Sequence, residues 1–183
     1  MNLSQLDFRT LNEVAGRIAV PVDWLAALIN FETAGTWDPL VKNPNSSARG
    51  LIQFVDATAR TLGYRDSLDL VQKHPSISSQ LRGPVLRYFQ NFREPVKSKQ
   101  DFYMRVFLPA YRFAAPDAVI YSDDSEKRKK FQAANPGVVT VADYVNKLES
   151  QYKRAKVRFP SSSNGVFIAL ALLGFFLARM MHK

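Results

Sequence analysis

Glu32 is the residue whose type and spacing best suit acid–base chemistry. It lies four residues after Leu28 and seven after Leu25, so it leaves a helix on their apolar side. In the string Phe31-Glu32-Thr33-Ala34-Gly35 the glycine then supplies a helix stop. A carboxylate on an apolar face at a helix end is costly unless it is paired or protonated, and a neutral carboxyl is what a general acid requires. The competing reading is a terminal Glu that turns out to solvent. Few other chemistries are open to this chain. Its 183 residues include no cysteine, which excludes disulfides and thiolate catalysis. The two histidines, His74 and His182, are too far apart to form a local metal motif, and neither a metal nor a cofactor is expected.

The elements that must position Glu32 read as helices, with an all-α fold or α with a minimal β element. Residues 3–20 carry Leu6, Leu11, Val14, Ala15 and Ile18 on one side. Asp23 can cap the helix bearing Glu32, with Trp24, Leu25, Leu28, Ile29 and Phe31 as its apolar residues. Residues 36–46 are loop. Ser46 or Ser47 can cap a short helix through Phe54, and Asp56 another over 57–62, stopped by Gly63. Ser67 and Ser76 offer further starts, and Gly83-Pro84 separates two helices or kinks one. Ser98 precedes a helix over 99–108 that carries Phe102, Tyr103 and Phe107. Tyr103 and Tyr111 are candidates to line a cleft, or core aromatics with a hydrogen-bonded tip. Residues 112–137 read as loops around at most a short helix. Thr140 and Asp143 make a capping box before a last soluble helix with Val141, Tyr144, Val145, Leu148 and Tyr152.

The formal charge of +9 favours a polyanionic partner: nucleic acid, anionic lipid or acidic wall polymer. The 126–130 cluster Glu-Lys-Arg-Lys-Lys could touch such a polymer or be a solvated face. No basic n-region followed by an apolar run stands at the N-terminus. The chain divides into a domain over 1–159, a polar linker over 160–164 and an apolar run over 165–181. That run, with Arg179 snorkelling, approaches the roughly 17–25 residues of a membrane span. It is expected to anchor the protein in a lipid membrane as a single pass. Lys153, Arg154, Lys156 and Arg158 stand just before it, where anionic headgroups would attract them. With Arg179 and Lys183 beyond it, orientation is weakly specified.

The ordered set Glu32-Thr33, then Ser47-Ala48-Arg49-Gly50-Leu51-Ile52-Gln53-Phe54, then Thr58-Ala59 resembles the SLT-type lytic transglycosylases of the lysozyme-like superfamily. The likeness is strongest to the compact domains of bacteriophage lysis and virion proteins. Those carry Glu-Ser near a helix end, then a small-residue loop leading to Gly-Leu-Met-Gln and a Thr-Ala. Residues 11–63 carry the resemblance, with Val14-Ala15 and Pro21-Val22-Asp23 in the preceding helix pair. Residues 102–110, together with Asn135-Pro136-Gly137 and 140–144, resemble later segments of the phage branch. Two departures stand out. Thr33 replaces the usual Ser but keeps the hydroxyl, and Ser47 occupies a position usually held by Gly, which asks that the backbone there not need positive φ. The Tyr-Asn-Ala-Gly signature is absent around Tyr111, so the aromatic packing on the acid is open among Tyr103, Tyr111 and Tyr121.

The resemblance implies cleavage of the β-1,4 bond between N-acetylmuramic acid and N-acetylglucosamine in the glycan strands of peptidoglycan. Glu32 would protonate the glycosidic oxygen. As a carboxylate it would then take the proton of the muramoyl 6-hydroxyl, which attacks the anomeric carbon and leaves a 1,6-anhydro product. Gln53 would position the substrate or the acid, or else brace its loop. Thr33 and Ser47 are weaker orienting groups, and Trp37, Phe54 and Tyr103 would offer sugar-stacking surface or be core. A hydrolytic lysozyme is the near alternative and would want a second carboxylate, Asp38 or Asp56. A non-enzymatic membrane-held protein of a virion or envelope, among other membrane proteins there, is the alternative of a different class. Specific nucleic-acid binding is not expected, because the basic residues lack a recognisable motif. The expected setting is a phage virion or the host cell envelope, in wall opening at entry or in lysis.

Overall fold

A hinge of 114° between the first two helices sets the architecture of this computed structural model, which describes residues 3–155, 157 and 159. Helix α1 (Gln5–Arg17) starts where the Ser4 hydroxyl accepts the Asp7 N–H at 3.1 Å. It buries Thr10, Leu11, Val14 and Ala15. Leu6, expected on that stripe, is 59% exposed; it sits about 140° around the helix from Leu11. Ala19 turns the chain with φ 57°, and α2 (Val22–Glu32) follows. Pro21 occupies the position before α2, so Asp23 lies in the first turn and is not its cap.

Every residue from Leu25 to Asn30 is buried, so α2 is wrapped on all sides rather than on one stripe. It packs against α1, against α7 (Lys99–Phe107) and against α9 (Val141–Ala155). The first turn of α9 meets the end of α2, while Tyr152 near its other end feels the charge of Asp23, so the two helices run antiparallel. The Thr140–Asp143 capping box starts α9: Asp143 N–H donates to Thr140 Oγ1 at 3.2 Å, and Thr140 N–H to Asp143 Oδ2 at 2.8 Å.

The stretch from Ser46 to Phe54 is not a helix. Gly50 and Gln53 adopt φ of 79° and 52°, which breaks any helical run, and Lys42, Arg49 and Phe54 pair through antiparallel bridges. These and a third bridge, Val119 to Thr140, are the only β pairings among the described residues, and no strand forms. The chain is therefore mostly helical, with a minimal β element.

Helices α3 (Asp56–Thr61), α4 (Ser67–Lys73) and α5 (Ile77–Gln80) lead to a π-helical turn at Leu81–Val85 and then to α6 (Leu86–Gln90). Asp56 and Ser67 begin their helices from inside; Val55 and Asp66 stand at the cap positions. The turn contains Gly83-Pro84, and Gly83 leaves helical geometry at φ −94° and ψ −105°. A Cβ there would lie 2.6 Å from His74 Cε1, so close packing on the imidazole requires glycine. Within 112–137, expected to hold at most a short helix, α8 (Ser125–Ala134) has ten residues, is capped by Asp124 and buries none of them. Among the described residues no single helix is long and apolar enough to cross a membrane, and the 165–181 run lies outside them.

Candidate active site

Glu32 is the last residue of α2, and the turn beneath it is built from buried hydrogen bonds. The Thr33 hydroxyl donates to the Ile29 carbonyl at 2.7 Å and accepts the Trp37 N–H at 3.0 Å. The Trp37 indole donates to Asn30 Oδ1 at 3.3 Å. Thr33 is fully buried and Trp37 is 1% exposed, so both brace the turn and neither presents surface to a ligand. Ala34 and Trp37 hold φ of 50° and 55°, a left-handed geometry that costs of order 1 kcal/mol at each non-glycine residue.

Glu32 is half-buried as a residue, and its carboxyl is desolvated among aromatic residues. Tyr144 Oη donates to Glu32 Oε1 at 3.2 Å. The Tyr144 ring meets Phe31 edge-on at 5.4 Å and stacks on Phe107 at 3.8 Å. Burial pushes the Glu32 carboxyl up to about 7, against a smaller downward pull from the Tyr144 hydroxyl, and no other charged group contributes to the shift. Tyr88 is raised to about 12, chiefly by burial and then by the charge of Glu32. Its hydroxyl is committed to the Arg105 carbonyl at 2.5 Å. The acid is therefore poised near neutrality by desolvation, which is the physical requirement for a group that gives and retakes a proton.

A run of half-buried rings continues from this point. Phe131 lies 5.8 Å from Phe107, Tyr121 lies 5.5 Å from Phe131, and Tyr111 lies 6.0 Å from Tyr121. Tyr111 thus reaches the acid only through this series, and its hydroxyl accepts the Tyr121 N–H at 2.7 Å. Tyr103 is fully buried and donates to Glu149 Oε1 at 2.5 Å, while Lys99 holds the other oxygen of that carboxylate at 2.9 Å. The aromatic on the acid is Tyr144, rather than Tyr103, Tyr111 or Tyr121. The sequence places Tyr144 on the apolar stripe of α9, where nothing separates it from a core residue.

The Ser47–Gln53 loop is fixed from within. Gln53 Nε2 donates to the Gly50 carbonyl at 3.1 Å. Ser47 Oγ accepts the Asp56 N–H at 3.2 Å, and Ser47 is not among the residues with positive φ, so its backbone has no need of glycine. Phe54 is 2% exposed and meets Tyr88 edge-on at 6.2 Å, as a core ring. The residue that locks this loop was not legible beforehand. Gln80, fully buried, accepts the Leu51 N–H at 2.9 Å and donates to the His74 carbonyl at 3.0 Å and to that of Pro39.

Both candidate second carboxylates accept backbone N–H groups. Asp38 accepts the Leu40 N–H at 2.8 Å, and Asp56 accepts the Ser67 N–H at 3.0 Å, which holds its carboxyl below the usual range. On α8, Lys129 pairs with Glu126 at 3.2 Å and Lys127 stands 5.1 Å over the Tyr121 ring. Among the described residues no cluster of three or more His, Asp or Glu could hold a metal ion. No family model matches this chain, and no curated protein matches it.

Proposed function

We propose that the chain is a peptidoglycan lytic transglycosylase of lysozyme-like type, with Glu32 as its single general acid/base. The observation that carries this reading is the state of Glu32: a carboxyl at a helix end, raised to about 7 by burial and held by Tyr144. As an acid it protonates the glycosidic oxygen while the sugar gains oxocarbenium-like character. As a carboxylate it accepts the proton of the muramoyl 6-hydroxyl, and that oxygen closes the 1,6-anhydro ring. The nucleophile belongs to the substrate, so no second carboxylate is needed, in keeping with a pKa shift to which no other acid contributes. In this reading the half-buried rings of Phe131 and Tyr121, which continue from the Phe107 ring stacked on Tyr144, would offer sugar-stacking surface.

Anchoring by the 165–181 run in a virion or envelope membrane belongs to the same proposal and would confine wall opening to the site of entry or lysis. Hydrolysis by a lysozyme mechanism is less favoured, because Asp38 and Asp56 are both engaged by backbone N–H groups. The test is clearing of purified peptidoglycan by the parent and by Glu32→Gln, with analysis of the released ends. Clearing with anhydromuramoyl ends, abolished in the variant, is expected. Unchanged clearing in Glu32→Gln overturns the assignment, reducing ends convert it to hydrolysis, and an inactive parent favours a structural role.

A further inference from the structure

A concavity of about 300 Å³ includes neither Glu32 nor any aromatic residue that touches it. It opens where the end of α1 meets α6 and the 92–96 loop, over apolar surface from Phe89, Phe92 and Val96. Three arginines line it: Arg17, Arg93 and Arg105.

Arg105 is 1% exposed and rigidly held. Its Nε and Nη2 donate to the two oxygens of Asp101, each at 2.9 Å, and Nη2 also reaches the carbonyls of Glu94 and Pro95 at 3.1 and 3.0 Å. Nη1 has no acceptor among the described residues. A rigidly held guanidinium with one nitrogen unfilled, on a residue that lines a cavity, is a preorganised donor for an oxyanion.

The acidic groups nearby are already engaged. Asp101 is held by Arg105, Glu94 pairs with Arg112 at 3.2 Å, and Glu13, one turn before Arg17, pairs with Arg82 at 2.8 Å. Arg17 and Arg93 are exposed and make no ion pair among the described residues. The cavity therefore carries excess positive charge beside an apolar wall.

We propose that this cavity binds the phosphate group of a ligand with an apolar body. Three arginines around one cavity favour phosphate over a singly charged carboxylate, and Phe89, Phe92 and Val96 accept the carbon skeleton. An anionic phospholipid headgroup and a soluble phosphate ester share this chemistry.

The test uses the full chain. Inorganic phosphate, titrated at constant ionic strength against chloride, is expected to give saturable amide shifts at Ile18 and Val96. The exposed pair Arg17→Gln/Arg93→Gln, which leaves the Arg105–Asp101 pair intact, is expected to weaken binding roughly ten-fold or more. Glu32→Gln is expected to bind phosphate like the parent, so this result is independent of the proposed catalysis. Sedimentation with vesicles of phosphatidylcholine, with and without phosphatidylglycerol, separates the two sources. A loss of anionic-vesicle binding in the double variant assigns a lipid headgroup, whereas phosphate binding without that loss assigns a soluble ester. Shifts equal to those in chloride, or insensitive to the double substitution, overturn the proposal.

Discussion

The Tyr144 hydroxyl donates to Glu32 Oε1 across 3.2 Å, joining the first turn of α9 to the last residue of α2. A phenol that donates to a carboxylate stabilises its charged form, so this bond moderates the rise that burial imposes on Glu32.

Removing the hydroxyl while keeping the ring should therefore raise the Glu32 pKa above about 7, rather than lower it. A hydrogen bond to a charged group contributes about 1.5–3 kcal/mol, which converts to an upward shift of roughly one to two units in Tyr144→Phe. Carbon-detected NMR titration of the Glu32 carboxyl measures this directly. The alkaline limb of any clearing activity should move up with it, because Glu32 stays protonated to higher pH. A downward shift would show that Tyr144 acts on the acid mainly by excluding water.

The same desolvation makes stability depend on pH with a definite sign. Glu32 has a folded pKa of about 7 against an ordinary value of 4.5, so the folded state binds its proton more tightly than the unfolded chain. Its contribution is fully present below 4.5 and is lost as pH rises through about 7. The loss amounts to about 3 kcal/mol at its largest. Urea unfolding of parent and Glu32→Gln across this range should give stability differences that grow with pH in favour of the variant. Asp56, Asp69, Asp101 and Asp143, all held below their usual range, act in the opposite direction at acid pH and cancel in the comparison. A pH-independent difference would mean that the carboxyl is hydrated.

Several helix starts were legible from local signals that the structure uses: Ser76 and Ser98 each accept an N–H at a helix start, and Thr140 with Asp143 forms the box. Asp23, Asp56 and Ser67 instead stand inside their helices. The site was legible only as far as Glu32, whose register against Leu25 and Leu28 is local. Tyr144 lies 112 residues away and reaches the acid through the antiparallel docking of α9 on α2, which no spacing rule encodes. Residues 46–54 were misread because Ser46 and Ser47 imitate a cap. The left-handed Gly50 and Gln53 instead fold the chain back on itself. Helix α8 was legible as no more than a short helix because it buries no residue, leaving no apolar period to mark its length.

Gly50 and Gln80 make the loop's dependence on distant packing testable. Gly50 holds φ 79°, and a Cβ there would stand 2.6 Å from Gln80 Oε1, the atom that accepts the Leu51 N–H. Gly50→Ala should cost about 1–3 kcal/mol through backbone strain and this contact. Gln80→Leu should cost at least about 2 kcal/mol, because it strands the Leu51 N–H and two carbonyls in the interior. The double variant should lose less than the sum, since leucine no longer places an oxygen against residue 50. Denaturant midpoints provide the measurement, and strict additivity would show that the two residues do not press on each other.

Thr33 provides the sharpest separation between hydroxyl and shape. Its Oγ1 donates to Ile29 and accepts from Trp37, so the turn under the acid depends on one buried oxygen with both roles filled. Thr33→Ser keeps that oxygen and loses a methyl, at a cost of about 0.8 kcal/mol. Thr33→Val keeps the volume but strands the Trp37 N–H, at about 1–3 kcal/mol. Because Trp37 holds left-handed φ and its indole ties back to Asn30 on α2, release of this turn should also disturb the seat of Glu32. Wall clearing at a temperature where both variants are folded should then fall further in Thr33→Val than in Thr33→Ser. Equal stability and equal clearing in the two variants would mean that side-chain volume, and not the hydroxyl, supports the acid.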